Sequence, residues 1–195
     1  MDLKEQLIQA LTDSLVETCT SVFSVVPMVE KKDDITPRTA GGGNIVASLG
    51  FAGNLEGSLV VVLSDKAACK VVAKMICCDI TEVNQDVLDG SGELANILTG
   101  GMKMRIAGMN YNVELCIPTV IRSGDPLSIA KLGKTDVVNL SVTSAEFDFD
   151  VILSYAVAHP AATAAKSAQS EAKKEDSSNT LLDMINKAGG QAPEK

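Results

Sequence analysis

"NIVASLGFAGNLEGSLVVVLSDKAACKVVAKMI", running from Asn44 to Ile76, changes character halfway along. Asn44–Ser64 is rich in β-branched residues and is broken by a turn signal near Gly53-Asn54, so it reads as two strands of a hairpin. Ser64 then stands where a helix N-cap belongs, with Asp65 in the first turn, and predicts a helix over Asp65–Cys78.

Upstream, Leu3, Leu7, Leu11 and Leu15 form an i, i+4 stripe with Ile8 and Cys19 beside it. That spacing predicts a helix over residues 2–26, ended by Pro27. Residues 28–43 hold an edge strand and then a loop, "RTAGGG", which lacks the Gly-Lys-Ser/Thr ending of a phosphate loop. Downstream, Glu82–Gly108 reads as a second long helix. "YNVELCI", "DVVNLSVTS" and "FDFDVILSYAV" then read as strands. Helix, strands, two helices and strands again predict an α+β domain, an antiparallel sheet with long helices packed on one face.

Composition narrows the function classes. The 195 residues allow one ordinary domain and a tail. With aromatics at 3% and no Trp, platforms for stacking bases are not expected. A net charge of −8 argues against nucleic acid and anionic membrane as partners. Cys19, Cys69, Cys77, Cys78 and Cys116 show no CxxC spacing, and with a single His a zinc site is not expected. Reduced, mostly buried thiols are the expectation. The start of the chain carries Asp2, Lys4, Glu5 and Asp13 without a continuous apolar run, and "LVVVL" is too short to span a membrane. A cytoplasmic protein without metal of its own is expected.

The domain is expected to occupy residues 1–158. Residues 159–179, rich in Ala, Ser, Lys and Glu, read as a flexible linker. Over 180–195 a short amphipathic helix resumes: Thr180 and Asp183 have capping-box spacing, Leu181, Leu182, Met184 and Ile185 are apolar, and Gly189 can stop it. Too short to be stable alone, such a helix could dock a partner close to the domain.

The segment "DGSGELANILTGGMKMRI", Asp89–Ile106, has apolar residues at helical spacing yet holds four glycines. Each costs a helix roughly 1 kcal/mol relative to alanine. At about 100° per residue, Val83, Val87, Leu94, Leu98 and Met102 share one face, which is expected to meet the core. Asp89, Glu93, Asn96, Gly100 and Lys103 share the other, a polar ridge about 21 Å long. Gly90 and Gly101 fall on the core side, where they would let another helix come close. Gly92 and Gly100 fall on or beside the ridge, where they would let a foreign surface approach. A polar face alone is usually just solvated; these glycines are what lift the ridge above that.

Asp89-x3-Glu93-x2-Asn96, within "GELAN", resembles the motif of the CheC/CheX family of chemotaxis phosphatases. "GNLEGSLVVVLSDKAACKVVAKMI" before it and "IPTVIRSGD" after it extend the resemblance to roughly residues 5–157, and the single motif points to the CheX branch. The resemblance implies hydrolysis of the aspartyl phosphate of a CheY-type response regulator. Asn96 would insert into the regulator's active site and orient the attacking water, and Glu93 would pair with the regulator's active-site Lys. Asp89, Gly92 and Gly100 would contact the partner. Mg2+ would come from the regulator, and a homodimer formed through an edge strand is implied as well.

The residue types suit that chemistry. An acyl phosphate needs an in-line water more than a strong base. An amide, being donor and acceptor at once, can hold water in one orientation. Asp13-x3-Glu17-x2-Thr20 repeats the spacing on the first helix with Thr in place of Asn. A hydroxyl cannot reproduce the planar amide, so one working site per chain is expected, with Asp13 and Glu17 on an ordinary exposed face. Two rivals remain: a non-catalytic regulator-binding or flagellar-switch-like module of the same fold, and a metal-dependent hydrolase built on Asp89 and Glu93. For the latter, two carboxylates without His are a thin ligand set.

Overall fold

In the computed structural model, residues 2–33, 43–123 and 135–158 are described here; the expected linker and tail helix, and the "RTAGGG" loop up to Gly42, lie outside them. The compact body runs from Met1 to Val157. Helices α1 (Leu3–Ser21), α2 (Asp65–Ile76) and α3 (Gln85–Ala107) accompany strands β1 (Met28–Lys32), β2 (Asn44–Gly53), β3 (Leu55–Ser64), β4 (Val113–Leu115), β5 (Thr119–Ser123), β6 (Asp136–Thr143) and β7 (Asp148–Val157).

The β2–β3 hairpin sits inside the sheet, pairing Asn44 with Ser64 through Phe51 with Gly57. The strand order is β1-β6-β7-β3-β2-β4, with β5 also on β2, and every pairing is antiparallel. Side chains alternate across such a sheet. One face carries Ile45, Leu49, Leu59, Val61, Val151 and Leu153. These join Leu7, Leu11 and Leu15 of α1, Val71 and Val72 of α2, and Leu94, Leu98 and Met102 of α3 in a single core. The helices therefore share one face of the sheet, as the element order predicted. On the other face Asp150 is buried and receives Lys32 Nζ at 3.0 and 3.1 Å.

Local chemistry sets the element ends. Ser64 Oγ accepts from Ala67 N at 3.1 Å to start α2, and Asn84 Oδ1 accepts from Val87 N at 3.0 Å to start α3. Helix α3 thus begins two residues later than Val83, which packs partly buried beside the core from outside the helix. Helix α1 stops at Ser21, well before Pro27. Thr20 and Ser21 turn their hydroxyls onto the carbonyls of Val16 and Glu17, at 2.7 and 2.6 Å, and Ser24 takes a positive φ of 57°. That bend sends Phe23 into the core, edge-on to Phe147 at 5.4 Å.

"YNVELCI" yields only the three residues of β4; a second short strand, β5, takes over the same edge of β2. Pro118, which has no N–H to give, falls between them. The thiols are all free, but Cys77, Cys78 and Cys116 are exposed, so the expectation of mostly buried cysteines is corrected. Cys19 and Cys69 are buried; burial pushes the Cys19 pKa up to about 11 and raises that of Cys69.

Helix α3 crosses its neighbours at missing side chains. A Cβ on Gly90 would stand 2.6 Å from Val72 Cγ1 of α2, and one on Gly101 would overlap Ser14 Oγ of α1. Ser14 Oγ is committed to Leu98 O at 3.0 Å and Val72 is buried and stiff, so neither yields easily. Gly90→Ala should destabilise the domain by about 1–3 kcal/mol despite its better helix propensity. Chemical denaturation followed by circular dichroism checks this; an unchanged or raised midpoint would show that α2 can move away at no cost.

Candidate active site on helix α3

The buried side of α3 is Val87, Ser91, Gly92, Leu94, Ala95, Leu98, Thr99, Met102 and Ile106. Its two buried hydroxyls are satisfied within the helix, Ser91 on Val87 O at 2.7 Å and Thr99 on Ala95 O at 2.6 Å. The helix is thereby fixed on one side along its whole length. Glu93 and Asn96 project from the opposite side, both exposed. They lie next to each other, Asn96 Nδ2 3.4 Å from Glu93 Oε2. Asp89, also exposed, accepts from Gln85 Nε2 at 2.8 Å one turn earlier.

The expected ridge therefore exists from Asp89 through Glu93 and Asn96 to Gly100, with one correction. Gly92 is buried under the chain's own β5, where an added Cβ would stand 3.2 Å from Val120 Cγ2 and 3.7 Å from Pro118 Cγ. Its missing side chain admits a strand, not a partner. Gly100 has nothing within 4 Å of an added Cβ and leaves a notch open to solvent. Lys103 lies to the side, 3.5 Å from Glu114 of β4.

On α1, Asp13, Glu17 and Thr20 are also exposed, yet each is engaged within the chain. Asp13 accepts from Gln9 at 2.8 Å, Thr20 bonds the carbonyl of Val16, and Glu17 Oε2 lies 2.5 Å from Arg105 Nη2 of α3. The Glu17–Arg105 link joins positions 88 residues apart and had no signature in the sequence. Nor was there one for Met104, which stands 72% exposed in line with the ridge.

The site is convex. A cavity of about 420 Å³ lies beside the first turns of α2, lined in part by Asp65, Lys66, Cys69, Glu82 and Arg122, and it includes neither Glu93 nor Asn96. An exposed carboxylate and amide do not exclude water, hold a small substrate or form a nucleophile–base pair. Among the described residues no group of His, Cys, Asp and Glu has the geometry of a metal site. What the pair can do is enter another protein's pocket from a rigid support.

The antiparallel sheet with helices on one face is the fold of the CheC/CheX-like proteins. A structure of the chemotaxis protein CheX from Vibrio vulnificus superposes with a TM-score of 0.67, covering 77% of this chain and 99% of that one at 20% identity. The CheX-CheY-BeF3-Mg+2 complex from Borrelia burgdorferi contains a chain that matches with a TM-score of 0.60 over 79% of this chain and 97% of its own, at 16% identity. The family model described as "Chemotaxis phosphatase CheX" matches residues 45–143. The CheY-P phosphatase CheX of Thermotoga maritima is 31% identical over 150 residues, 76% of this chain and 95% of that protein. The chain belongs to the CheX family of chemotaxis phosphatases. No helix among the described residues is long and apolar enough to cross a membrane.

The two ridge-side glycines should respond oppositely to a side chain. Gly100→Ala should raise stability, by up to about 1 kcal/mol, because only helix propensity changes. Gly92→Leu should lower it by about 1–3 kcal/mol by forcing β5 outward. Thermal melts of the two variants check the contrast, and equal shifts would place Gly92 in open space like Gly100.

Proposed function

We propose that this chain hydrolyses the aspartyl phosphate of a phosphorylated CheY-type receiver domain in the cytoplasm, with Asn96 and Glu93 acting inside the receiver's own active site. The observation that carries the reading is the placement of these two side chains, adjacent, solvent-facing and mounted on a helix whose other side is packed. The names of the Thermotoga and Borrelia proteins support the substrate class.

In this reading the receiver supplies the pocket, the phosphoryl group, its active-site Lys and the Mg2+; the phosphatase supplies position. The Asn96 amide oxygen accepts a hydrogen bond from water and so aims its lone pair at phosphorus. Water forms a P–O bond as the bond from phosphorus to the aspartyl oxygen breaks, giving inorganic phosphate and a free carboxylate, with the proton released to solvent. The receiver's Mg2+ neutralises charge on the phosphoryl oxygens. Glu93 pairs with the receiver's Lys and fixes the register of the inserted helix. Asp89 and Gly100 border the contact. The 3.4 Å approach of Asn96 to Glu93 in the free chain means that both groups already point into the same small volume. A homodimer through a sheet edge completes the proposal; among the described residues β1 closes one edge and β4 with β5 the other.

Asn96→Ala should reduce turnover of a phosphorylated receiver by about 100-fold or more, since misplaced water alone costs about two decades, while leaving affinity near wild type. Glu93→Ala should weaken both affinity and rate, because it leaves the receiver's Lys unpaired. Phosphate release under saturating receiver, with titration against a receiver loaded with beryllofluoride and Mg2+, separates the two effects. Wild-type turnover by Asn96→Ala would overturn the water-positioning role.

A further inference from the structure

We propose that the receiver-docking surface of α3 continues past Gly100 to Met104, and that Met104 is an apolar anchor setting which receivers the chain accepts. The proposal rests on the receiver-phosphatase reading above.

A single exposed apolar side chain is ordinary on any protein surface. Met104 is set apart by what surrounds it. Eleven residues separate it from Glu93, close to three helical turns, so the two side chains leave the helix within about 20° of each other. Gly100 lies between them on the same line and presents an open notch. The sequence along the crest is thus carboxylate, amide, hole and thioether, and the last is 72% exposed.

The neighbours of Met104 are drawn away from it. Lys103 turns to one flank, 3.5 Å from Glu114 of β4. Arg105 turns to the other, with Nη2 on Glu17 at 2.5 Å and Nη1 on Gly101 O at 2.8 Å. Both cations that adjoin Met104 in sequence are therefore held off the crest by partners within the chain. A thioether standing in water at the crest contributes no packing to the chain's own fold.

The occupant follows from continuity with the Glu93–Asn96 pair. Met104 lies about 12 Å along the helix from Asn96. A standard interface covers roughly 800 Å² per partner, a disc about 30 Å across, so a receiver that swallows Asn96 also covers Met104. The receiver surface that meets it must be apolar and free of its own cation at that spot. A flexible thioether tolerates several shapes of apolar patch, whereas a patch of charge would be left desolvated and unpaired.

The test measures kcat and KM for the full-length chain on a receiver domain phosphorylated by a small-molecule donor with Mg2+, alongside Kd for the beryllofluoride-loaded receiver. Met104→Ser and Gly100→Leu should each raise KM and Kd about tenfold with kcat within about twofold. Met104→Leu should stay near wild type. Neither substitution touches the core; Gly100→Leu improves helix propensity and should leave the thermal midpoint unchanged or higher, and Met104→Ser, with slightly lower propensity, should lower it only slightly. Unchanged KM and Kd in both Met104→Ser and Gly100→Leu, with turnover lost in Asn96→Ala, overturns the anchor and keeps the phosphatase reading. Weakened binding in both together with full turnover by Asn96→Ala supports the docking surface and overturns Asn96's role. A wild-type chain that neither binds nor dephosphorylates any of a panel of receivers overturns both.

Discussion

Close packing along one side of α3 is the constraint on which the site depends. Three positions on that helix carry no side chain where another element presses in: Gly90 against Val72 of α2, Gly92 against Val120 of β5, and Gly101 against Ser14 of α1. Each glycine forgoes about 1 kcal/mol of helix propensity. In return the helix is gripped from α2, the sheet edge and α1 within twelve residues. A catalytic pair that must reach into another molecule cannot be braced by walls of its own pocket. It has to be braced from behind, and the back of α3 meets close neighbours at Gly90, Gly92 and Gly101.

On the proposed mechanism the reaction chemistry needs little from this chain. An acyl phosphate is already activated, and the receiver's site already holds the charges that its hydrolysis requires. The remaining barrier is one of placing a water, and placement depends on rigidity rather than on nucleophile strength or pKa. On the proposed reading, an exposed Asn and Glu side by side on one helix are sufficient for that. Specificity would then be a matter of how the ridge fits a surface, the role proposed for Gly100 and Met104, which lie away from the reacting atoms.

The legible parts of this chain are those with local causes. The hairpin of β2 and β3, the Ser64 cap and the two faces of α3 follow from alternation, capping chemistry and 3.6-residue periodicity within short windows. Gly90 and Gly101 were placed correctly because a face assignment alone says what lies behind them. The misreadings have long-range causes. Gly92 sits at the margin of the ridge, within about 20° of Lys103 around the helix, and that flank is covered by β4 and β5. Strand β5 was itself hidden: five half-exposed residues after a proline carry no alternation, and their pairing with Asn44–Ser48 is fixed by a segment more than seventy residues earlier. The early end of α1 was masked by Val22, Phe23 and Val25, which extend an apolar pattern past the point where Thr20 and Ser21 bend the chain.

The repeated spacing on α1 bears on how many sites one chain carries. Glu17 occupies the place that Glu93 holds on α3, but its carboxylate is engaged by Arg105, and Thr20 spends its hydroxyl on its own helix. A receiver approaching α1 would have to break the Glu17–Arg105 pair to free a carboxylate, and would then find no amide beside it. The same pair holds Arg105 off the crest where Met104 stands. On the proposed reading the second copy of the spacing serves the first: α1 contributes Ser14 to the fit against Gly101 and Glu17 to the clearance of the ridge, and α3 presents the chemistry.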